Sequence, residues 1–157
     1  MLYLIRHAHA AEADADAERP LSARGRGQVT WLAEMLRNRG GFHPQEIWHS
    51  PLLRARQTAQ LLAETLSLGL PLKEVPGLRP DDAPALVAAR LESVAHSIAI
   101  VGHNPHLSFL GSLLVTGAVG PPIFVMRKAS ILALEPARGP GVGCWLASWQ
   151  LAPDSSD

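Results

Sequence analysis

The sequence predicts a three-layer α/β domain, in which helices cover both faces of a mostly parallel central sheet. Short apolar runs alternate with segments of helical periodicity through most of the chain, which is typical of βα units. Towards the C-terminus, short β-like runs are separated by Gly and Pro clusters, so we expect a hairpin or two at one edge of the sheet. Hydrophobic residues make up 47% of the 157 residues, which is enough for one core. We therefore expect a single domain over residues 1–152 and a disordered tail over 153–157.

Seven short runs are candidates for strands. The four that precede helical segments are expected to lie parallel, and they are 2–8, 46–49, 72–75 and 98–101. The three later runs are expected to form the hairpins, and they are 123–126, 130–134 and 145–151. Because the carboxyl ends of parallel strands share one edge of a sheet, residues that follow different strands can converge there.

Four helices are predicted from apolar spacing and from residues that begin or end helices. The candidate N-caps share a short polar side chain before an apolar periodic segment, and they are Ser22, Asp81 or Asp82, and Asn104 with Pro105 as first helical residue. The second helix is expected over about 52–68. Gly40 and Gly41 are expected to end the first helix, and the fourth is expected to end near Val115.

Composition excludes several classes of protein. Fourteen basic and fourteen acidic residues give a net charge of zero, so no overall positive field attracts nucleic acid or an anionic membrane. Twelve of the basic residues are arginine, which suits forked contacts with phosphate, although a GC-rich coding bias gives the same excess. Cys144 is the only cysteine, which excludes an intrachain disulfide and a cysteine-rich zinc site. With no leader and no apolar run near the ~20 residues that span a bilayer, we expect a cytoplasmic protein.

Polar residues that are able to take part in catalysis lie at three strand-to-helix junctions. The first strand ends in Arg6 and His7, and the strand over 98–101 leads to His103. The junction between the second strand and the second helix presents Arg54. We expect these two histidines and two arginines to meet at one edge of the sheet, where they would suit phosphoryl chemistry.

Each of these four residues has an expected role. An unprotonated imidazole can attack phosphorus near neutral pH, and His7 is the candidate nucleophile, with one ring nitrogen donating to a fixed acceptor such as a backbone carbonyl. Arg6 and Arg54 are expected to bind the non-bridging phosphate oxygens and to keep His7 unprotonated. His103 is expected to donate to a phosphate oxygen in the transition state, where such donors are worth roughly 3 kcal/mol each.

The same residues belong to four motifs, which are Arg6-His7-Ala8, Arg19-Pro20-Leu21-Ser22-Ala23-Arg24-Gly25, Ser50-Pro51-x-x-Arg54-Ala55-x-Gln57-Thr58 and Val101-Gly102-His103-Asn104-Pro105. Together they resemble the motifs of the histidine phosphatase superfamily, the fold group of phosphoglycerate mutases and histidine acid phosphatases, and above all its small SixA-like phosphohistidine phosphatases. The resemblance extends from residue 1 to about 151 and implies a phosphoglycerate mutase-like fold. It also implies that His7 is transiently phosphorylated in a pocket formed by Arg6, Arg54 and His103.

The general acid is the part of the resemblance that matches least well. Larger members of the superfamily supply a carboxylic acid from a loop after the third strand, and here Asp81 and Asp82 are the candidates, unless they only cap a helix. The chain is also too short for an inserted cap domain that would enclose a metabolite. Because phosphohistidine needs less precise proton delivery than an alkyl phosphate, we expect a phosphohistidine in a signalling protein as substrate, and neither a metal ion nor another cofactor.

Several neighbouring residues are secondary candidates. Arg19, Asn104 and His9 are expected to contact substrate, and His49 and His106 lie close to the motifs without an assigned role. Ser50 is expected to support its turn, because no Gly-x-Ser-x-Gly elbow surrounds it.

Other functions stay open at this point. A broad phosphomonoesterase or mutase-like enzyme would use the same pocket on small phosphate esters, and a non-catalytic module would bind a phosphoprotein without turnover. His7 and His9 also form a His-x-His pair of the kind that binds metal in barrel hydrolases, but that fold needs ~250 residues. Asp14 and Asp16 superficially resemble an aspartate nucleophile, yet they follow no buried strand and are expected to be solvated. The oligomeric state is not predicted, although a monomer is favoured.

Overall fold

The computed structural model describes residues 1–154 and contains one six-stranded sheet. In chain order the strands are β1 Leu2–Arg6, β2 Glu46–His49, β3 Leu72–Glu74, β4 Ile98–Gly102, β5 Ile131–Pro136 and β6 Trp145–Leu151. Their order across the sheet is β3-β2-β4-β1-β5-β6. The first four strands are parallel, and β5 and β6 form an antiparallel hairpin beyond β1. The predicted mostly parallel sheet with a C-terminal hairpin at one edge is confirmed.

Helices cover both faces of this sheet. They are α1 Ala23–Arg39, α2 Leu53–Thr65, α3 Pro84–Leu91 and α4 His106–Thr116. Alternate residues of β1 point to opposite faces, so Tyr3 and Ile5 pack with α1 and α2, whereas Leu2 and Leu4 pack with α3 and α4. Each fully buried side chain of this kind contributes about 1.5–3 kcal/mol. The three predicted layers are therefore present.

The predicted cap of α1 is observed, but two other predicted caps are wrong. Ser22 accepts a hydrogen bond from the N–H of Gly25, as an N-cap does. The N-cap of α3 is Ala83, while the Asp82 carboxylate instead accepts from the N–H of Arg79 in the preceding turn. Pro84 is the first residue of α3, a position where the missing N–H of proline costs nothing and its fixed φ suits the helix.

The start of α4 also differs from its prediction. Pro105 is its N-cap rather than its first helical residue, and the side chain of Asn104 makes no capping hydrogen bond. The Asn104 amide donates to the Met126 carbonyl and accepts from the Ser108 hydroxyl. The Asn104 side chain is suited to capping, but here it binds a loop that is distant in sequence instead. At its other end α4 stops at Gly117, whose φ of 82° is the left-handed conformation that favours glycine.

The strand predicted over 123–126 is wrong, because this segment is an irregular loop. Pro121 and Pro122 immediately before it have no N–H to donate to a neighbouring strand. The Met126 carbonyl accepts from the side chains of Arg6 and Asn104 instead of from a strand. The loop is thus held against the carboxyl edge of the sheet.

The disordered tail over 153–157 stays a prediction. Pro153 is buried and Asp154 is exposed, and residues 155–157 lie outside the described residues. No helix in the described part of the chain is long and apolar enough to cross a membrane.

Candidate active site

The sheet brings the three predicted junctions next to one another. Strand β4 lies between β1 and β2, with Arg6 opposite Gly102 and His49 opposite Val101. The N–H of His7 extends the β1–β4 ladder by donating to the Gly102 carbonyl at 2.9 Å. His7, Ser50 and His103 therefore leave three adjacent strands at the same edge.

His7 is held in the form that a nucleophile requires. Its Nδ1 lies 2.7 Å from the Ala8 carbonyl oxygen, and because a carbonyl only accepts, Nδ1 carries the proton. The lone pair is consequently on Nε2. The side chain is buried, with 7% of the residue exposed, so its orientation is set by packing as well as by this hydrogen bond.

Electrostatics keep this imidazole neutral. Burial is the main reason that the pKa of His7 falls from 6.5 to about 3, and the positive charges of Arg54, Arg6 and Lys128 lower it further. The hydrogen bond to Ala8 opposes the shift without reversing it. At neutral pH the Nε2 lone pair is therefore available for attack.

His103 lies directly beside His7. The two ring centroids are 4.9 Å apart, with the planes inclined at 53°. Burial, followed by the neighbouring His7 and Arg54, lowers the pKa of His103 to about 2. Its Nε2 lies 2.7 Å from the Ser50 hydroxyl. This histidine is thus a neutral group at neutral pH, and it contributes an N–H dipole rather than a charge.

Two arginines complete the cluster, each held by a neighbouring loop. Arg6 Nη1 donates to the Met126 carbonyl at 2.9 Å. Arg54, which is 5% exposed, donates from Nη1 to the Asp16 carbonyl at 2.9 Å and from Nη2 to the Asp16 carboxylate at 3.3 Å. Further donors remain on the Arg54 guanidinium, which has five in all, so it can hold Asp16 and still bind an anion.

The remaining motif residues tie α2 to the loops around the cluster. The Thr58 hydroxyl accepts from the N–H of Ala8 at 3.1 Å and donates to the carbonyl of Arg54 at 2.7 Å. The Gln57 side chain accepts from the N–H of Leu21 at 2.8 Å. These contacts fix the N-terminal half of α2, and with it Arg54, against the segments that carry His7 and Leu21.

Comparison with known proteins agrees with this geometry. Residues 2–99 match the family model described as histidine phosphatase superfamily, branch 1. The chain belongs to the histidine phosphatase superfamily. It is 35% identical over 141 residues to an uncharacterized protein of Picosynechococcus sp., which covers 85% of this chain and 84% of the relative.

Two further relatives of this histidine phosphatase carry a functional name. The phosphohistidine phosphatase SixA of Escherichia coli K12 is 27% identical over 157 residues, covering 97% of this chain and 93% of the relative. A structure of the protein histidine phosphatase SixA complexed with tungstate superposes with a TM-score of 0.84 at 25% identity, covering 96% of each chain. The SixA-like, phosphoglycerate mutase-like fold predicted from the motifs is confirmed.

The secondary candidates of this phosphatase are held in protein contacts. Arg19 donates to the Ala11 carbonyl and pairs with the carboxylates of Asp16 and Glu12. The His9 ring bonds to the Ser22 hydroxyl at 2.7 Å. Asn104 anchors the loop at Met126, as described above. In this structure the three side chains support the loops around the cluster, and their contact with substrate stays a prediction.

Neither candidate for the general acid contacts the cluster within residues 1–154. Asp81 is exposed, and Asp82 bonds to the backbone of its own turn. The charge of Asp82 is felt by His106, although burial dominates and lowers the pKa of that histidine. His49 donates from Nδ1 to the Ser50 carbonyl, which occupies that side of its ring. The described part of the chain contains no group of three His, Cys, Asp or Glu side chains that could hold a metal ion.

Three residues that act on the cluster were missed by the sequence analysis. Asp16 was expected to be solvated, and its side chain is 65% exposed, but it forms ion pairs with both Arg54 and Arg19. Burial is the largest single effect on the pKa of Asp16 and raises it, but the charges and hydrogen bonds of Arg54 and Arg19 together lower the pKa below its ordinary value. Lys128 acts on His7 by charge, and Ser50 hydrogen-bonds to His103. Only Ser50 has a signal in the sequence, since it directly follows the strand predicted over 46–49.

Proposed function

We propose that this histidine phosphatase removes the phosphoryl group from a phosphohistidine in a cytoplasmic signalling protein, without a metal ion and through a phospho-His7 intermediate. The observation that carries the proposal is the state of His7. Its Nδ1 is bound to the Ala8 carbonyl, its Nε2 lone pair is available, and its pKa is near 3. Such a group is a nucleophile at neutral pH.

The reaction takes two steps. The Nε2 lone pair of His7 forms a bond to phosphorus while the phosphorus–nitrogen bond of the substrate breaks, and the leaving imidazole takes a proton from solvent. Water then attacks phosphorus, the bond to His7 breaks, and inorganic phosphate leaves. Arg6, Arg54 and His103 stabilise the charge on the non-bridging oxygens in both steps.

Two observations favour phosphohistidine as the substrate. The carboxylate held at the cluster is Asp16, whose lowered pKa makes it a poor proton donor, while Asp81 and Asp82 lie elsewhere. An imidazole leaving group tolerates this arrangement better than an alkoxide does. The SixA relative of Escherichia coli is itself named a phosphohistidine phosphatase.

One observation favours a small phosphate ester as a second candidate. A groove of about 450 Å³, lined by residues that include Pro51, Arg79 and Asp82, opens beside the junction that carries Ser50. Its volume is within the range of sites that bind small molecules. A metabolite could place its leaving group there, next to the Asp82 carboxylate.

A substrate panel distinguishes these functions. Turnover of a phosphohistidine protein is compared with that of p-nitrophenyl phosphate, sugar phosphates and phosphoglycerates, with and without a chelator. We expect the phosphohistidine protein to have the highest kcat/KM, no effect of the chelator, and an acid-labile phosphoenzyme that His7→Ala does not form. Preference for an alkyl phosphate would support the second candidate, and activity retained by His7→Ala would refute the mechanism.

A further inference from the structure

The structure places the Ser50 hydroxyl between the backbone and His103. Ser50 is fully buried, and its Oγ accepts from the N–H of Leu52 at 3.2 Å. The same oxygen lies 2.7 Å from Nε2 of His103, which is 1% exposed. The turn-supporting role expected for Ser50 is therefore present, but it uses only one lone pair of the hydroxyl oxygen. The direction in which the hydroxyl hydrogen points is still to be determined.

The two possible directions of this hydrogen bond leave different numbers of buried polar groups without a partner. If Nε2 carried the proton and donated, the Ser50 hydrogen would have no acceptor among residues 1–154, and Nδ1 of His103 would be an unpartnered acceptor as well. If Ser50 donates to Nε2, the only group left over is the N–H at Nδ1. Because each unmet buried polar group costs about 1–3 kcal/mol, the second arrangement is favoured.

We propose that Ser50 is a positioning residue that fixes the tautomer of His103, so that Nδ1–H is the donor to the phosphoryl group. Nδ1 is buried and has no hydrogen-bond partner in the described part of the chain. The ring of His7 lies 4.9 Å away, centroid to centroid. A phosphoryl oxygen at this position would satisfy the remaining N–H.

The arrangement also matches the two histidines to opposite tasks. His7 presents a lone pair because its other nitrogen donates to Ala8, and His103 presents an N–H because its other nitrogen accepts from Ser50. Both rings stay neutral, and each tautomer is set by one short hydrogen bond, which His7 donates to a backbone carbonyl and His103 accepts from a side-chain hydroxyl. The role of Nδ1–H in catalysis rests on the proposed phosphatase mechanism, whereas the tautomer itself does not.

The tautomer is measured directly by NMR. In protein labelled with ¹⁵N at histidine, the imidazole nitrogen shifts and their couplings to ring hydrogens report which nitrogen is protonated, and His103→Gln assigns the signals. We expect His103 of the unmodified protein to be protonated at Nδ1 near neutral pH. Protonation at Nε2 would overturn the proposal. Since this readout needs no turnover, failure of the proposed function would leave it interpretable.

Kinetics test whether Ser50 acts through His103. We expect Ser50→Ala to lower kcat for p-nitrophenyl phosphate about 10-fold, as for the loss of one hydrogen bond, but to have no further effect in a His103→Gln background. An equal loss in both backgrounds would show a structural role and refute the assignment. Ser50→Thr, which keeps the hydroxyl, is expected to retain the Nδ1–H tautomer even where Ser50→Ala folds poorly.

A matched control is available at another buried serine. Ser112 is fully buried, and its hydroxyl likewise accepts a backbone N–H, that of Ile123 at 2.8 Å, but it bonds to no histidine. Ser112→Ala is expected to leave the His103 signals unchanged. If it shifted the tautomer as strongly as Ser50→Ala, the tautomer would depend on general packing and not on Ser50.

Discussion

Acidification is expected to destabilise this protein through the two histidines of the cluster. Both have an ordinary pKa of 6.5 in the unfolded chain, but in the fold burial above all lowers the pKa of His7 to about 3 and that of His103 to about 2. As the pH falls below 6.5, these two histidines become protonated in the unfolded chain but stay neutral in the folded protein. Stability is therefore complete above this pH and is lost progressively towards the folded pKa values.

The size of the loss in unfolding free energy follows from the pKa values of these two histidines. At about pH 5 each histidine that stays neutral in the fold costs about 2 kcal/mol relative to pH 7, so the pair costs about 4 kcal/mol. The lowered pKa of His106 adds to the loss with the same sign. Against a total stability of about 5–15 kcal/mol for an ordinary domain, this is a large fraction.

Urea denaturation followed by circular dichroism at the two pH values tests this prediction. His7→Gln removes one titrating group, and the loss of unfolding free energy between the two pH values should shrink by about 2 kcal/mol. Leu62→Ala, which removes a buried side chain of α2 without changing a charge, controls for lower stability and should keep the full loss. An undiminished loss in His7→Gln would refute the assignment of acid sensitivity to the cluster.

Three further predictions concern individual residues. Arg54→Lys keeps the charge but loses the forked donors, so kcat/KM for p-nitrophenyl phosphate should fall roughly 100-fold, and a change below about 5-fold would argue against direct phosphate contact. Asp16→Asn removes the carboxylate charge beside Arg54, so inhibition by inorganic phosphate should tighten about 3-fold, and weaker inhibition would show that the charge mainly orients Arg54. Gly25→Ala would place a Cβ 2.0 Å from the His9 carbonyl oxygen, so it should lower the free energy of unfolding, measured by urea denaturation, by about 3 kcal/mol. Gly27→Ala, where a Cβ would meet open space, should raise the free energy of unfolding by about 0.8 kcal/mol. Equal effects of the two substitutions would contradict the packing around Gly25.

The parallel part of the fold could be predicted because each strand is a short apolar run before a helical segment. The segment over 123–126 has the same apolar character but no ladder, since two prolines precede it and site side chains bind its Met126 carbonyl. Caps failed for a related reason. The side chains of Asn104 and Asp82 can hydrogen-bond to a helix terminus or to backbone groups of other segments. The local sequence does not indicate which of these partners lies closer in the fold.

The four cluster residues could be predicted because strand ends place them, and the structure brings His7, His103, Arg6 and Arg54 together. Their catalytic roles stay predictions. Asp16 begins the short 3-10 helix Asp16–Glu18, and Lys128 lies in a turn. Both were missed because the paths of these connections depend on packing far from them in sequence. The Ser50–His103 hydrogen bond spans 53 positions and depends on which strands are neighbours in the sheet, which spacing along the chain does not reveal.

The position of β4 between β1 and β2 has a consequence for tolerance to insertion. The backbones of His7 and His103 are separated by one interstrand spacing, about 4.8 Å, which main-chain hydrogen bonds fix and which the ring separation of 4.9 Å nearly repeats. Residues added to a surface connection between β1 and β4, such as the turn near Gly69, would lengthen the path without changing this spacing. The chain is therefore free to diversify at its surface turns while its two histidines keep their separation.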